Sequence, residues 1–273
     1  MATTHVLEWE GSQIEYLRFG EGPHLLFAFH GFADDARQFL VLEPVLREDY
    51  TVIALNLPFH GATRWVGGKT FTREVLHQLV GVLLHQEGKT SCSLLGYSLG
   101  GKMVFALIER LGKRVDAVLL LAPDGIRTHA AYNLSVYPRW GRALFRFTID
   151  HPGWLFLLLS IGRFLRIIKE PVYRFTRNQM DTKEKRQRIQ DVWLVIRDFK
   201  TNPLPAMMVI RQFQIPVLLV YGKYDAVIRE SDGRRFATQV PTSRLVVLDK
   251  GHRLVKEYLQ PVIRTFLRQH FSK

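Results

Sequence analysis

Short apolar runs that alternate with stretches of helical spacing constrain this 273-residue chain more than any other feature of its sequence. "HLLFAFHG" (24 to 31) and "YTVIALNLP" (50 to 58) are continuous apolar runs bounded by turn residues, as expected of strands buried on both faces. "CSLLGYS" (92 to 98), "DAVLLLAP" (116 to 123), "IPVLLVYG" (215 to 222) and "SRLVVLD" (243 to 249) extend the series. Helical stretches lie at 36 to 48, 71 to 88, 99 to 112, 230 to 240 and 255 to 269. Strands that alternate with helices imply right-handed crossovers, so the chain reads as α/β with a doubly wound, mostly parallel sheet. "THVLEWEGSQIEYLRFG" (4 to 20) instead alternates with a period of two around Gly11 and Ser12, which predicts an antiparallel hairpin on the sheet edge.

Residues 126 to 206 break this rhythm with helical pieces and several prolines. Because the alternation flanks them on both sides, they read as an inserted helical cap on a core of residues 1 to 125 and 207 to 273. An insertion at the carboxyl end of a sheet strand falls beside the crevice where such sheets bind ligands. Charge concentrates in the same region: residues 126 to 214 hold 16 Lys and Arg against 6 Asp and Glu, in a chain of net charge +13. A solvated charged face, contact with an anionic membrane surface, and steering of an anionic substrate all fit this potential. "WLFLLLSIGRFLRIIK" (154 to 169), which mixes apolar bulk with Arg163, Arg166 and Lys169, favours the second over the third. No nucleic-acid-binding module is present in the sequence, so nucleic acid is not expected as a partner.

Within this frame, Gly96-Tyr97-Ser98-Leu99-Gly100 matches G-x-S-x-G, leaving a buried strand and opening a helix. A strand-to-helix turn tight enough to present a hydroxyl at its tip leaves no room for side chains two residues either side, hence the glycines. A serine needs a base to take its proton, and the base needs an acid to orient it. His252 follows the last strand, and Asp225 follows the strand before it, so both reach the edge of the sheet where Ser98 stands. Asp124, at the end of "DAVLLLAP", is the alternative acid. Backbone amides of Phe32, in "HGFA" (30 to 33), and of Leu99 are candidates for an oxyanion hole. His30 and His60 read as loop-bracing residues. The ten histidines form no H-x-x-x-H pair, and no acidic cluster supplies hard ligands, so neither metal nor cofactor is expected.

With "FHGFADDARQF", "NLPFHGAT", "LLGYSLGGKM", "LLVYGKYDAVI" and "DKGHRL" in this order, the chain resembles the α/β-hydrolase fold family over essentially its whole length. The resemblance implies Ser98 as nucleophile, Asp225 as acid, His252 as base, and a cap between the sixth and seventh strands. It implies a serine esterase or lipase-like enzyme that cleaves a carboxylic ester through an acyl-serine intermediate. A C–C bond hydrolase, or a lyase of the menaquinone-pathway type acting on an anionic substrate, resembles the same arrangement. A non-catalytic binding relative is the alternative from another class. Serine at position 98, where dehalogenase-like and epoxide-hydrolase-like members carry aspartate, argues against those two chemistries. Asn56 stands where many members have aspartate, and Phe59 where glycine is frequent, so a changed local turn is expected there.

Cys92 is the only cysteine, which excludes an intrachain disulfide framework. The opening "MATTHVLEWEG" lacks the basic and apolar regions of a secretory signal, so cytoplasmic residence is expected. The ten-residue run "GWLFLLLSIG" (153 to 162) is too short to span a bilayer, for which about 20 residues are needed.

Overall fold

The computed structural model describes residues 1–66, 69–127 and 130–271. Among these, eight strands form one sheet: β1 (Thr3–Trp9), β2 (Ser12–Phe19), β3 (His24–Phe29), β4 (Tyr50–Leu55), β5 (Cys92–Tyr97), β6 (Val115–Leu121), β7 (Val217–Gly222) and β8 (Ser243–Leu248). Their spatial order is β1-β2-β4-β3-β5-β6-β7-β8. The hairpin β1–β2 is antiparallel and joins the sheet by pairing β2 antiparallel to β4, and from β4 onward every pairing is parallel. The five strands β4, β3, β5, β6 and β7 are buried at nearly every position, as their uninterrupted apolar runs require.

The chain divides into two compact units, Met1–Arg127 with Phe199–Lys273, and Thr128–Asp198. In the first, the helices are α1 (Glu43–Leu46), α2 (Arg73–Gln86) and α3 (Gly100–Leu111) before the break. The second unit holds α4 (Ala130–Val136), α5 (Arg139–Asp150), α6 (Gly153–Phe164), α7 (Glu170–Gln179) and α8 (Lys183–Val195). The first unit resumes with α9 (Leu204–Phe213), α10 (Glu230–Gln239) and α11 (Gln260–His270). Thr72 starts α2 by accepting from the amide of Val75 at 3.2 Å, a side-chain cap on an otherwise orphaned donor. The stretch at 36 to 48 is less regular than its spacing suggests. A 3-10 turn over Ala36–Leu42 precedes the four residues of α1, with Pro44 at the helix start, where its missing N–H costs nothing.

The insertion is shorter than the sequence boundary of 206 suggests. Pro203 and Pro205 look like breaks, but they stand at the start of α9, and α9 packs on α3 within the first unit. The second unit has a small core of its own. Trp193 of α8 meets Tyr132 of α4 and Phe145 of α5 with ring centroids 5.2 and 5.5 Å apart. Arg186, buried in α8, donates to the carbonyls of Ile149 at 2.8 Å and Met180 at 2.7 Å, which ties α8 to the end of α5 and to the turn before it.

A buried polar knot secures the turn after β4. Asn56 accepts from the amide of Ala36 at 2.7 Å through Oδ1, and its Nδ2 donates to Glu15 Oε2. The same Glu15 oxygen accepts from the amide of Ala62 at 2.8 Å, and Thr63 Oγ1 donates to the Asn56 carbonyl at 2.8 Å. The amide of Asn56 therefore supplies a donor to a buried carboxylate, which an aspartate could not do. Phe59 takes φ +65°, so the left-handed conformation that glycine favours is made here by phenylalanine rather than removed. Replacing Asn56 with Asp sets two carboxylates against each other in a buried site. It is expected to lower stability by about 1–3 kcal/mol at neutral pH, with a smaller loss in acid, where a shared proton restores the donor. Urea unfolding at several pH values measures both.

Candidate active site

The carboxyl ends of parallel strands β5, β7 and β8 bring Ser98, Asp225 and His252 to one edge of the sheet. Ser98 sits between β5 and α3 with φ +48°, the left-handed region that side chains other than glycine's rarely enter. Such a conformation costs on the order of 1–3 kcal/mol and persists only where its surroundings fix it. Here its amide donates to Leu121 of β6 at 3.0 Å, while its carbonyl accepts from Gly101 at 2.9 Å and Asp124 at 2.8 Å.

The flanking glycines make the turn possible. A Cβ on Gly100 would lie 2.0 Å from the carbonyl oxygen of Phe29 in β3, and one on Gly96 would lie 2.8 Å from the Gly100 carbonyl. Helix α3 can thus approach the sheet closely enough to push the serine hydroxyl outward. Ser98 is partly exposed between the fully buried strand β5 and the buried first turns of α3.

His252 Nε2 lies 3.0 Å from Ser98 Oγ, and His252 Nδ1 lies 2.7 Å from Asp225 Oδ2. An ionised carboxylate only accepts, so the Nδ1 proton faces Asp225 and Nε2 is left as the acceptor for the serine hydroxyl. The Asp225 side chain is fully buried, and its other oxygen accepts from the amides of Val227 at 2.7 Å and Ile228 at 2.9 Å. Loop amides hold one carboxylate oxygen while the second orients the imidazole. The His252 side chain remains 22% exposed.

Asp124 is placed differently. Its carboxylate lies 3.7 Å from Lys102 Nζ, and that buried ammonium also donates to Thr201 Oγ1 at 3.1 Å. The structure brings Asp225, not Asp124, to the histidine. Leu99 precedes the first turn of α3, whose leading amides have no intrahelical acceptor. Phe32 lies in the loop after β3, with its ring 6.0 Å from that of His60.

His30 and His60 each brace this loop. The amide of Leu57 donates to His30 Nε2 at 3.0 Å and the amide of Ala33 to His60 Nε2 at 3.2 Å, while each Nδ1 faces a carbonyl. Among the described residues, no group of three or more His, Cys, Asp or Glu side chains could hold a metal ion.

Tyr97 is the neighbour that sequence reasoning missed. Its hydroxyl donates to the His252 carbonyl at 3.0 Å, and its ring centroid lies 5.5 Å from the imidazole. Burial, then the charges of Asp34 and Asp225, push the phenol well above its usual range, so it is a fixed neutral donor. Its place beside the serine in G-x-S-x-G was visible, but nothing local pointed it across the sheet to a residue 155 positions away. Burial likewise raises the Asp34 carboxyl above its usual range, with Arg253 opposing.

The family model for the alpha/beta hydrolase family matches residues 25–264, and the chain belongs to that family. It is similar to the uncharacterized hydrolase YugF of Bacillus subtilis (strain 168), 25% identical over 253 residues that make up 91% of this chain and 90% of that one. It is also 25% identical over 259 residues to the pimeloyl-[acyl-carrier protein] methyl ester esterase of Aeromonas hydrophila, covering 86% of this chain and 89% of that one. A thermophilic esterase from Thermogutta terrifontis shares the fold with a TM-score of 0.68 at 18% identity, covering 99% of each chain.

Gly100→Ala is expected to cost about 1–3 kcal/mol, because its methyl group meets backbone rather than a movable side chain. Gly81→Ala in α2 meets nothing within 4 Å and is expected to stabilise by about 0.5–1 kcal/mol. Thermal unfolding of the pair separates steric demand at the turn from general helix propensity.

Proposed function

We propose that this protein is a serine hydrolase that cleaves a carboxylic ester, with Ser98 as nucleophile, His252 as general base and Asp225 as the orienting acid. The observation that carries this reading is the continuous chain Ser98 Oγ, His252 Nε2, His252 Nδ1, Asp225 Oδ2, with gaps of 3.0 and 2.7 Å. Both lie within hydrogen-bond reach, the condition for proton transfer to a positioned base.

In the reaction, His252 Nε2 takes the hydroxyl proton as Ser98 Oγ bonds to the ester carbonyl carbon. The carbonyl oxygen becomes an oxyanion, held by the amides of Phe32 and Leu99. Collapse breaks the bond to the alcohol oxygen, which receives the proton from His252 and leaves. Water then attacks the acyl-serine carbonyl and gives one proton to His252. The second collapse frees the acid and returns the proton to Ser98. No metal or cofactor takes part in this scheme. An esterase among the relatives supports ester over other acyl bonds, and we place the enzyme in the cytoplasm with a small-molecule substrate.

A fluorophosphonate probe with intact-mass readout tests the nucleophile. One adduct on the wild type, absent from a folded Ser98→Ala, is the expected result, and a folded wild type that takes no label overturns the reading. Asp225→Asn, which leaves the imidazole without its carboxylate, is expected to lower kcat on p-nitrophenyl esters by about 10⁴-fold. Asp124→Asn, which removes only the Lys102 pair, is expected to change kcat by less than about tenfold when folded. Equal losses would assign the acid wrongly.

A further inference from the structure

Helix α6 presents an apolar row to solvent. Leu157, Leu158, Ile161, Phe164 and Leu165 fall at i, i+1, i+4, i+7 and i+8, the spacing of one helical face, and all five are exposed. Phe164 is 85% exposed, and Ile167, just beyond the helix, is 76% exposed. In an ordinary amphipathic helix this row faces the core. Single exposed apolar residues need no explanation, but a contiguous row of this kind marks a surface that something covers. Helix α5 repeats the pattern with Trp140, Leu144 and Phe147 at i, i+4 and i+7, again exposed.

Cations accompany the row. Residues 153 to 177 hold five Lys and Arg against a single acid, Glu170. Arg163 and Arg174 share that acid, at 3.6 and 2.8 Å. Among the described residues, no carboxylate lies within ion-pair distance of Arg166 or Lys169. Arg166 ends the helix in the left-handed conformation, φ +57°, a position glycine takes by default. The chain turns there through bonds from the amides of Ile167 and Ile168 to the Gly162 carbonyl, at 2.9 and 3.0 Å. A guanidinium and an exposed isoleucine thus stand together at the end of the apolar row.

We infer that the α6 row, with Arg166 and Lys169 beside it, docks on the surface of an anionic lipid bilayer. Charge complementarity selects this occupant: apolar side chains enter the boundary between headgroups and acyl chains while the flanking cations meet lipid phosphates. The helix lies on the membrane rather than through it. Its 12 residues extend about 18 Å at 1.5 Å per residue, against about 30 Å of hydrocarbon. No helix among the described residues is long and apolar enough to cross.

Vesicle co-sedimentation of the full chain tests this independently of any hydrolytic activity. Vesicles of phosphatidylcholine alone are compared with an equal mixture of phosphatidylcholine and phosphatidylglycerol, at low and high salt. Partitioning is expected to be on the order of tenfold or more stronger on the anionic vesicles and to fall with salt. The double variant Arg166→Glu, Lys169→Glu is expected to lose that preference, and Phe164→Glu to lose binding on the order of tenfold, with circular dichroism unchanged. Should Phe164→Glu not fold, the charge-reversal variant, altered only at exposed positions, decides alone. No binding to either vesicle, or equal binding by folded variants, overturns the proposal. Light scattering supplies a further check: a dimer that Phe164→Glu dissociates would show that a second copy of the chain covers the row, which also overturns it.

Discussion

The left-handed backbone of Ser98 is the constraint on which the rest of the site depends. It exists because three elements converge there: β5 ends at Tyr97, α3 begins at Gly100, and the chain leaving β6 passes close enough for Leu121 and Asp124 to bond the serine backbone from outside. A parallel sheet makes this convergence possible, since every strand from β4 to β8 delivers its carboxyl end to the same edge. Residues distant in sequence then meet without any of them travelling far from a strand end. Ala122, next to the Leu121 acceptor, is itself at φ +40°, with its amide tied to Val220 of β7 at 2.8 Å. The strain at Ser98 is therefore shared across neighbouring strands rather than confined to one turn.

Three acidic side chains in the first unit show how donor supply assigns a role to a carboxylate. Glu15 is surrounded by donors that stay where they are, the Asn56 amide and the Ala62 N–H, and acts as a strut under the turn after β4. Asp124 faces the buried Lys102, which also holds Thr201, so its charge is matched by a cation that has a structural partner of its own. Among the described residues, Asp225 pairs with no Lys or Arg and accepts from no side-chain amide. Two backbone N–H groups take one oxygen, and the other meets a group that can gain and lose a proton. Of the three, Asp225 is the one that faces an imidazole, the arrangement that the proposed role of orienting acid needs.

Features coded within a few residues were legible in the sequence. The apolar runs, the hairpin about Gly11, and the glycines flanking Ser98 each declare themselves locally. So does the order of strand ends that carries Ser98, Asp225 and His252, because alternation fixes which end of each strand faces the same way. What escaped was set by long-range partnership. Lys102 and Thr201 are 99 positions apart, and Glu15 and Asn56 are 41 apart. Neither pair leaves a pattern that spacing can detect. The end of the insertion also lacks a local mark: Pro205 stands in the first turn of a helix, where its missing N–H is harmless. Phe59 shows the opposite case: a residue disfavoured in the left-handed region occupies it in a turn held by the bonds of Asn56 before it and of Ala62 and Thr63 after it.

The insertion answers a different physical requirement from the sheet. Its own core is small but complete, with Tyr132, Val136, Phe145, Ile149, Ile189 and Val192 buried and Arg186 satisfied by carbonyls. The apolar row of α6 contributes little to that core, since its side chains stay largely in solvent. Water gives no return for such exposure, and burial of comparable side chains elsewhere in a chain is worth about 1.5–3 kcal/mol each. A helix could retain its length and propensity with polar residues on this face. The row is therefore not explained by folding of the unit that carries it. The cations gathered at its end point the same way, because repulsion among them is relieved by anions from outside the chain, and the one nearby carboxylate already serves Arg163 and Arg174. Exposed apolar surface is costly in water, whereas the hydrated cations beside it gain attraction from anionic headgroups, so a phospholipid surface suits both together.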